Sequence, residues 1–135
     1  MTTKEVLQTL CSHIIGEGDS KDRMTTNRQY AEIVNRNQYM IENLCLRLTL
    51  SEIIEIAESF DHHNRTADYL LHMFCEIIAG QVGREVAGNE LDRFALLIRK
   101  LNLEDLDNVL CSFASEDATR CIMNEYDRRG VAPHS

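Results

Sequence analysis

The sequence predicts an all-α protein, and three observations carry that expectation. Apolar residues recur at spacings of three and four along most of the chain, while the alternation of a half-buried strand is scarce. One proline and six glycines leave little of the turn punctuation a many-stranded fold needs. Thr49, Asn89 and Ser115 each stand just before an apolar-periodic run, where a helix cap belongs, and Asn102-Leu103-Glu104-Asp105 opens another with an acidic first turn. The chain of 135 residues suffices for one domain with its own core, and 44% hydrophobic with 27% charged residues is the balance of a folded, soluble chain. The expected architecture is a compact bundle of six or seven helices: an N-terminal helix over 3–15, a loop over 16–28, and three-helix units over 27–80 and 88–130.

Over 3–15, Val6, Leu7, Leu10, Cys11 and Ile14 make a single apolar stripe. Gly16 and Gly18 are expected to stop that helix, and the polar, aperiodic 16–28 reads as a surface loop. The first helix then docks as an arm on its own chain, a second subunit being the alternative. The second helix is expected to run unbroken from 26 or 27 to 48. Tyr30, Val34, Asn37, Ile41, Leu44 and Leu48 form its heptad-like seam, widened by Ile33 and Cys45. Asn37 interrupts the seam, and such a residue is expected at a wet margin or bonded to nearby backbone. Fixing helix register is the alternative role.

Thr49-Leu50-Ser51-Glu52 has the form of a capping box and opens the next helix, which buries Leu50, Ile53, Ile54, Ala57 and Phe60. Asp61-His62-His63-Asn64 is a corner whose Asp or Asn caps the helix after it. That helix has the broadest apolar face (Ala67, Leu70, Leu71, Phe74, Cys75, Ile78, Val82), so it is expected at the centre, with Gly80, Gly83 and Gly88 marking its end and a loop. Asn89 caps a helix lined by Leu91, Phe94, Ala95, Ile98 and Leu101, with Leu97 off that stripe and a second covered face therefore expected. Asn102 begins another, with Leu103, Leu106, Val109, Leu110 and Phe113 expected inward. Ser115 caps the last, where Ala118, Cys121, Ile122 and Tyr126 pack before Arg128-Arg129-Gly130 ends it.

A shift of 53 residues carries Leu48 onto Leu101, Leu50 onto Leu103, Ile53 onto Leu106, Ile56 onto Val109, Ser59 onto Ser112, Phe60 onto Phe113 and Thr66 onto Thr119. That echo suggests two related three-helix units. Two are too few for a solenoid, hence the bundle.

The formal net charge of −8, with its 14 Lys and Arg scattered, argues against binding nucleic acid through bulk electrostatics. Five cysteines, an odd count without a CxxC pair, read as free thiols of a reducing compartment. No apolar run approaches a membrane span, and Met1-Thr2-Thr3-Lys4-Glu5 leads directly into an amphipathic segment, so a cytoplasmic setting is expected. The phosphate-loop, dinucleotide and zinc-protease motifs are missing, and no catalytic set, cofactor or metal is expected.

The reading that remains is a non-enzymatic protein–protein interaction module, a small regulatory, adaptor or inhibitor protein capable of pairing with itself through the first or second helix. Its contact residues are expected among the cationic and corner positions Lys21, Arg23, Arg28, His62, His63, Arg65, Arg93, Arg99 and Lys100. One alternative is a dimeric helix-turn-helix DNA-binding regulator, with His63, Arg65 and Thr66 opening the recognition helix. A second is a metal site built from His62, His63, His72 and Cys75.

Overall fold

The computed structural model describes residues 1–21, 29–83 and 89–133, the side chains of residues 20 and 21 excepted. Eight helices and no strand occur among the described residues: α1 (Thr3–Lys21), α2 (Gln29–Arg36), α3 (Gln38–Cys45), α4 (Leu50–Glu58), α5 (Arg65–Ala79), α6 (Glu90–Ile98), α7 (Leu103–Cys111) and α8 (Glu116–Arg129). They fall into two compact units, Met1–Leu71 and His72–Ser135, whose boundary lies inside α5. The protein is all-α, as its periodicity requires, and no described helix is long and apolar enough to cross a membrane.

In the first unit, α1 packs against α2, α3 and α4. It does not stop at Gly16. Leu7, Cys11, Ile14 and Gly18 are buried at spacings of four, three and four, so Gly18 extends the apolar stripe instead of ending it, while Val6 is exposed. A methyl group on Gly18 would collide with Oγ1 and Cβ of the buried Thr66 at the start of α5. The glycine is there to let two helices approach closely, a reason that local helix propensity does not register. Ion pairs fasten α1 at two more points, Lys4 to Glu55 of α4 at 2.8 Å and Glu17 to Arg36 of α2 at 2.6 Å.

The expected second helix is two. Asn37 (φ −101°, ψ 2°) breaks it, donating from Nδ2 to the Ile33 carbonyl at 2.8 Å. This is the local satisfaction expected of a polar residue in that seam, and the break in the helix falls at that residue. Ile33, Val34, Ile41 and Cys45 remain buried across the break. The expected start at 26 or 27 lies outside the described residues. The capping box is present in full: Thr49 Oγ1 accepts from the Glu52 amide, and Glu52 Oε1 accepts from the Thr49 amide at 3.0 Å. Ile53, Ile54, Ile56 and Ala57 form the buried face of α4.

The broad apolar face expected of α5 is covered: every residue from Leu70 to Cys75 is buried, and Ile78, Ala79 and Val82 continue the covered surface. In the second unit, α6 and α8 make the principal helix pair, and α7 packs on α8. Phe94, Leu97 and Ile98 of α6 are all buried, the two-sided cover expected from Leu97. Ser115 and Asn102 cap α8 and α7 through the amides of Ala118 and Asp105. Gly130 ends α8 in the left-handed conformation, φ 71°.

An ionic lock joins α8 to the end of α6. Glu125, only 4% exposed, receives Arg128 Nε at 2.8 Å and Nη2 at 2.7 Å, and Arg129 Nε at 2.6 Å. Arg129 Nη2 reaches on to the carbonyls of Ile98 (3.1 Å) and Leu101 (2.8 Å). A helix leaves its last carbonyls without internal partners, and here a guanidinium held by a buried carboxylate supplies them. The hydrogen bonds from Arg128, and then those from Arg129, hold the Glu125 carboxyl down to about 2. Nearby, the Tyr126 hydroxyl donates to Asp107 of α7; burial, then this bond, push that phenol up.

Candidate protein-interaction surface

The expected cationic contact residues are largely occupied. His62 Nδ1 lies 2.7 Å from Asp68, and Arg65 sits over the Tyr30 ring, 6.0 Å from its centroid. His63 Nε2 lies 2.8 Å from Asp19 Oδ2. Asn64 completes that corner. Its Nδ2 donates to Asp19 Oδ1 at 2.9 Å and the Ile15 carbonyl at 3.0 Å, while its Oδ1 accepts from the Ala67 amide at 2.8 Å and so caps α5. The bonds from His63 and then Asn64 lower the Asp19 carboxyl from its ordinary value. The corner expected to meet a partner is thus fastened to α1. Arg99 is exposed, 3.8 Å from Glu125; Arg93 is half-buried and Lys100 exposed. Arg23, Arg28 and the side chain of Lys21 lie outside the described residues.

The arrangement also bears on both alternatives. Thr66, expected at the reading end of a recognition helix, is buried, and His63 and Arg65 are engaged as above. The proposed metal set is not assembled: His62 and His63 face Asp68 and Asp19, and His72 lies 2.9 Å from Glu76. Cys75 is buried. Among the described residues no group of three His, Cys, Asp or Glu side chains is placed to hold a metal ion. Burial raises the thiols of Cys11 and Cys45 to about 12 and pushes Cys75 further in the same direction, the opposite of what a nucleophile needs.

Several large apolar side chains are left uncovered among the described residues. Tyr39 on α3 is 81% exposed, with Met40 beside it, and Leu46, the residue that follows the helix, is 78% exposed. In the second unit the outlier is Phe113, expected inward and found 98% exposed. Its counterpart in the echo, Phe60, is 6% exposed. The two segments agree up to that point. Ser59 and Ser112 each donate from Oγ to a carbonyl three residues back, at 2.6 Å in both cases. They part at the backbone: Ser59 stays helical (ψ −15°) and carries Phe60 inward, whereas Ser112 is extended (ψ −175°) and swings Phe113 out.

The turn that carries Phe113 is pinned. Ser115 donates from its amide to the Ala79 carbonyl at 2.7 Å and from Oγ to the Val82 carbonyl at 2.6 Å, and the Ala114 amide donates to Ser112 at 2.8 Å. The sequence holds one signal for this. Only Ser112, Phe113 and Ala114 separate the end of α7 from the Ser115 cap, against residues 59–63 before the Asn64 cap, so this connection is two residues shorter.

No family model, curated protein or solved structure matches this chain.

Proposed function

We propose that this protein works by binding another protein, as a small regulatory, adaptor or inhibitor subunit, and not by catalysis. The observation that carries the reading is Phe113, an aromatic side chain in full solvent on a turn whose backbone is already fixed. Large aromatic side chains supply much of the energy of protein interfaces, and a preorganised backbone lowers the ordering cost of binding. The raised thiols and the carboxylate partners of the histidines support the non-catalytic half of the reading. A cytoplasmic setting belongs to the same reading and rests on cysteines that are all free. The matched serine bonds and the Thr49 and Asn102 caps, 53 residues apart, support a duplicated origin for the two helical units.

The test is quantitative capture from the source cells on immobilised wild-type protein and F113A. A partner retained by wild type in stoichiometric amount supports the reading. Wild-type protein that retains nothing across a range of salt concentrations overturns it.

A further inference from the structure

Resting on that reading, we infer that the adjoining ends of α6 and α8 take up an acidic segment of the partner protein, with Arg99, Lys100 and Arg128 as its contacts. The observation behind this is a surplus of positive charge. Glu125 is one buried carboxylate, yet three guanidinium groups gather on it: Arg129 at 2.6 Å, Arg128 at 2.7 Å and Arg99 at 3.8 Å. Fold stability accounts for Arg129, which is 19% exposed and reaches on to the α6 carbonyls. The others have donors to spare. Arg128 spends Nε and Nη2 on Glu125 and keeps half of its side chain open to water. Arg99 stands beyond hydrogen-bond reach of Glu125 and is equally open. Lys100 beside it is exposed, and it forms no ion pair among the described residues.

The neighbouring carboxylates leave that surplus standing. Asp127 is two residues on from Glu125 and so projects from another side of α8, while Glu104 and Asp105 of α7 have interactions of their own. Guanidinium forks bind carboxylates through paired hydrogen bonds, which makes an Asp- or Glu-bearing segment the complementary occupant. Arg128 is already fixed by Glu125, so little of its freedom is left to lose on binding. A second copy is disfavoured, because a two-fold contact here would set one cluster of arginines against another. The cluster closes α8 at the end opposite Phe113, roughly 20 Å away along the helix, so each surface can be altered without touching the other.

Fluorescence anisotropy with labelled polyglutamate, and polyglutamine as the uncharged comparison, tests this on the full chain. The variants are R99E and K100E, with R47E as a control that makes the same change in charge at an exposed position of the first unit. Glu125 and Arg129 stay untouched, and unchanged helical circular dichroism confirms that every variant is folded. Wild type is expected to bind polyglutamate and not polyglutamine, with an affinity that falls as salt rises. R99E and K100E are each expected to weaken binding about tenfold, and R47E to leave it within about twofold. In parallel, polyglutamate is expected to release the partner that immobilised wild-type protein retains from source cells. Equal binding of the two peptides, R99E and K100E binding like R47E, or displacement by inorganic phosphate at the same concentration of charge overturns the proposal. So does a retained partner that polyglutamate leaves in place. Each of these outcomes leaves the broader protein-binding reading standing as long as a partner is retained. If wild-type protein retains nothing, both fall.

Discussion

Replacing Glu125 with glutamine keeps the shape of the side chain and removes the charge that holds Arg128 and Arg129. The carboxyl is lowered from 4.5 to about 2 by those hydrogen bonds, and its side chain is only 4% exposed. A folded-state value below the unfolded one means stabilisation that is complete above about 4.5 and disappears as the pH falls toward 2. At about 1.4 kcal/mol per pH unit of depression, the contribution near neutrality is about 3 kcal/mol, in line with the cost of breaking a buried ion pair on one side. Urea titrations of wild type and E125Q, followed by helical circular dichroism at pH 7 and pH 3, measure the difference directly. The other carboxylates titrate in both proteins and cancel in that difference. The expected gap is about 3 kcal/mol at pH 7 and less than half of that at pH 3. A gap below about 1 kcal/mol at pH 7, or one that does not shrink in acid, would refute the ionic lock as a stabilising element. Amide exchange supplies a local check, because residues 98–101 are expected to lose protection before α4 does.

Gly16 and Gly18 make a matched pair. G16A, with open space around it, is expected to stabilise by about 0.5–1 kcal/mol through helix propensity, whereas G18A drives a methyl into Thr66 and is expected to cost about 1–3 kcal/mol. Equal effects in thermal denaturation would mean that α1 and the start of α5 are not in close contact. S115A removes both the α8 cap and the bond to Val82, for an expected loss of about 1–2 kcal/mol, and unchanged urea stability would contradict it. G130A forces a Cβ into the left-handed region at φ 71°, costing about 1–2 kcal/mol by the same measurement; no change would mean that α8 ends differently.

Much of the fold is legible in the residues because helices are local objects. The Thr49–Glu52 box, the Asn102 and Ser115 caps and the left-handed stop at Gly130 each depend on side chains within a few positions of the backbone groups they satisfy. The width of the apolar face on α5 likewise announces its burial, since a helix apolar around most of its girth has to be covered. The candidate site was much less legible. Charge drew attention to His62, His63 and Arg65, whose partners (Asp68, Asp19, Tyr30) include residues distant in sequence. Phe113 continued the α7 stripe and echoed a buried phenylalanine, so periodicity placed it in the core.

By itself, then, the sequence determined the helical class, most helix starts and stops, and which residues line the interior. These depend on short-range hydrogen bonding and on a period of 3.6 residues. Tertiary structure alone decided that Gly18 is a contact and not a terminus, that Arg129 caps a helix about thirty residues away in the chain, and that the turn after α7 points its aromatic side chain at water. Each of these depends on what another segment brings to the same place: Thr66 against the glycine, Glu125 beneath the arginine, and the carbonyls of Ala79 and Val82 that hold Ser115 and leave Phe113 outside.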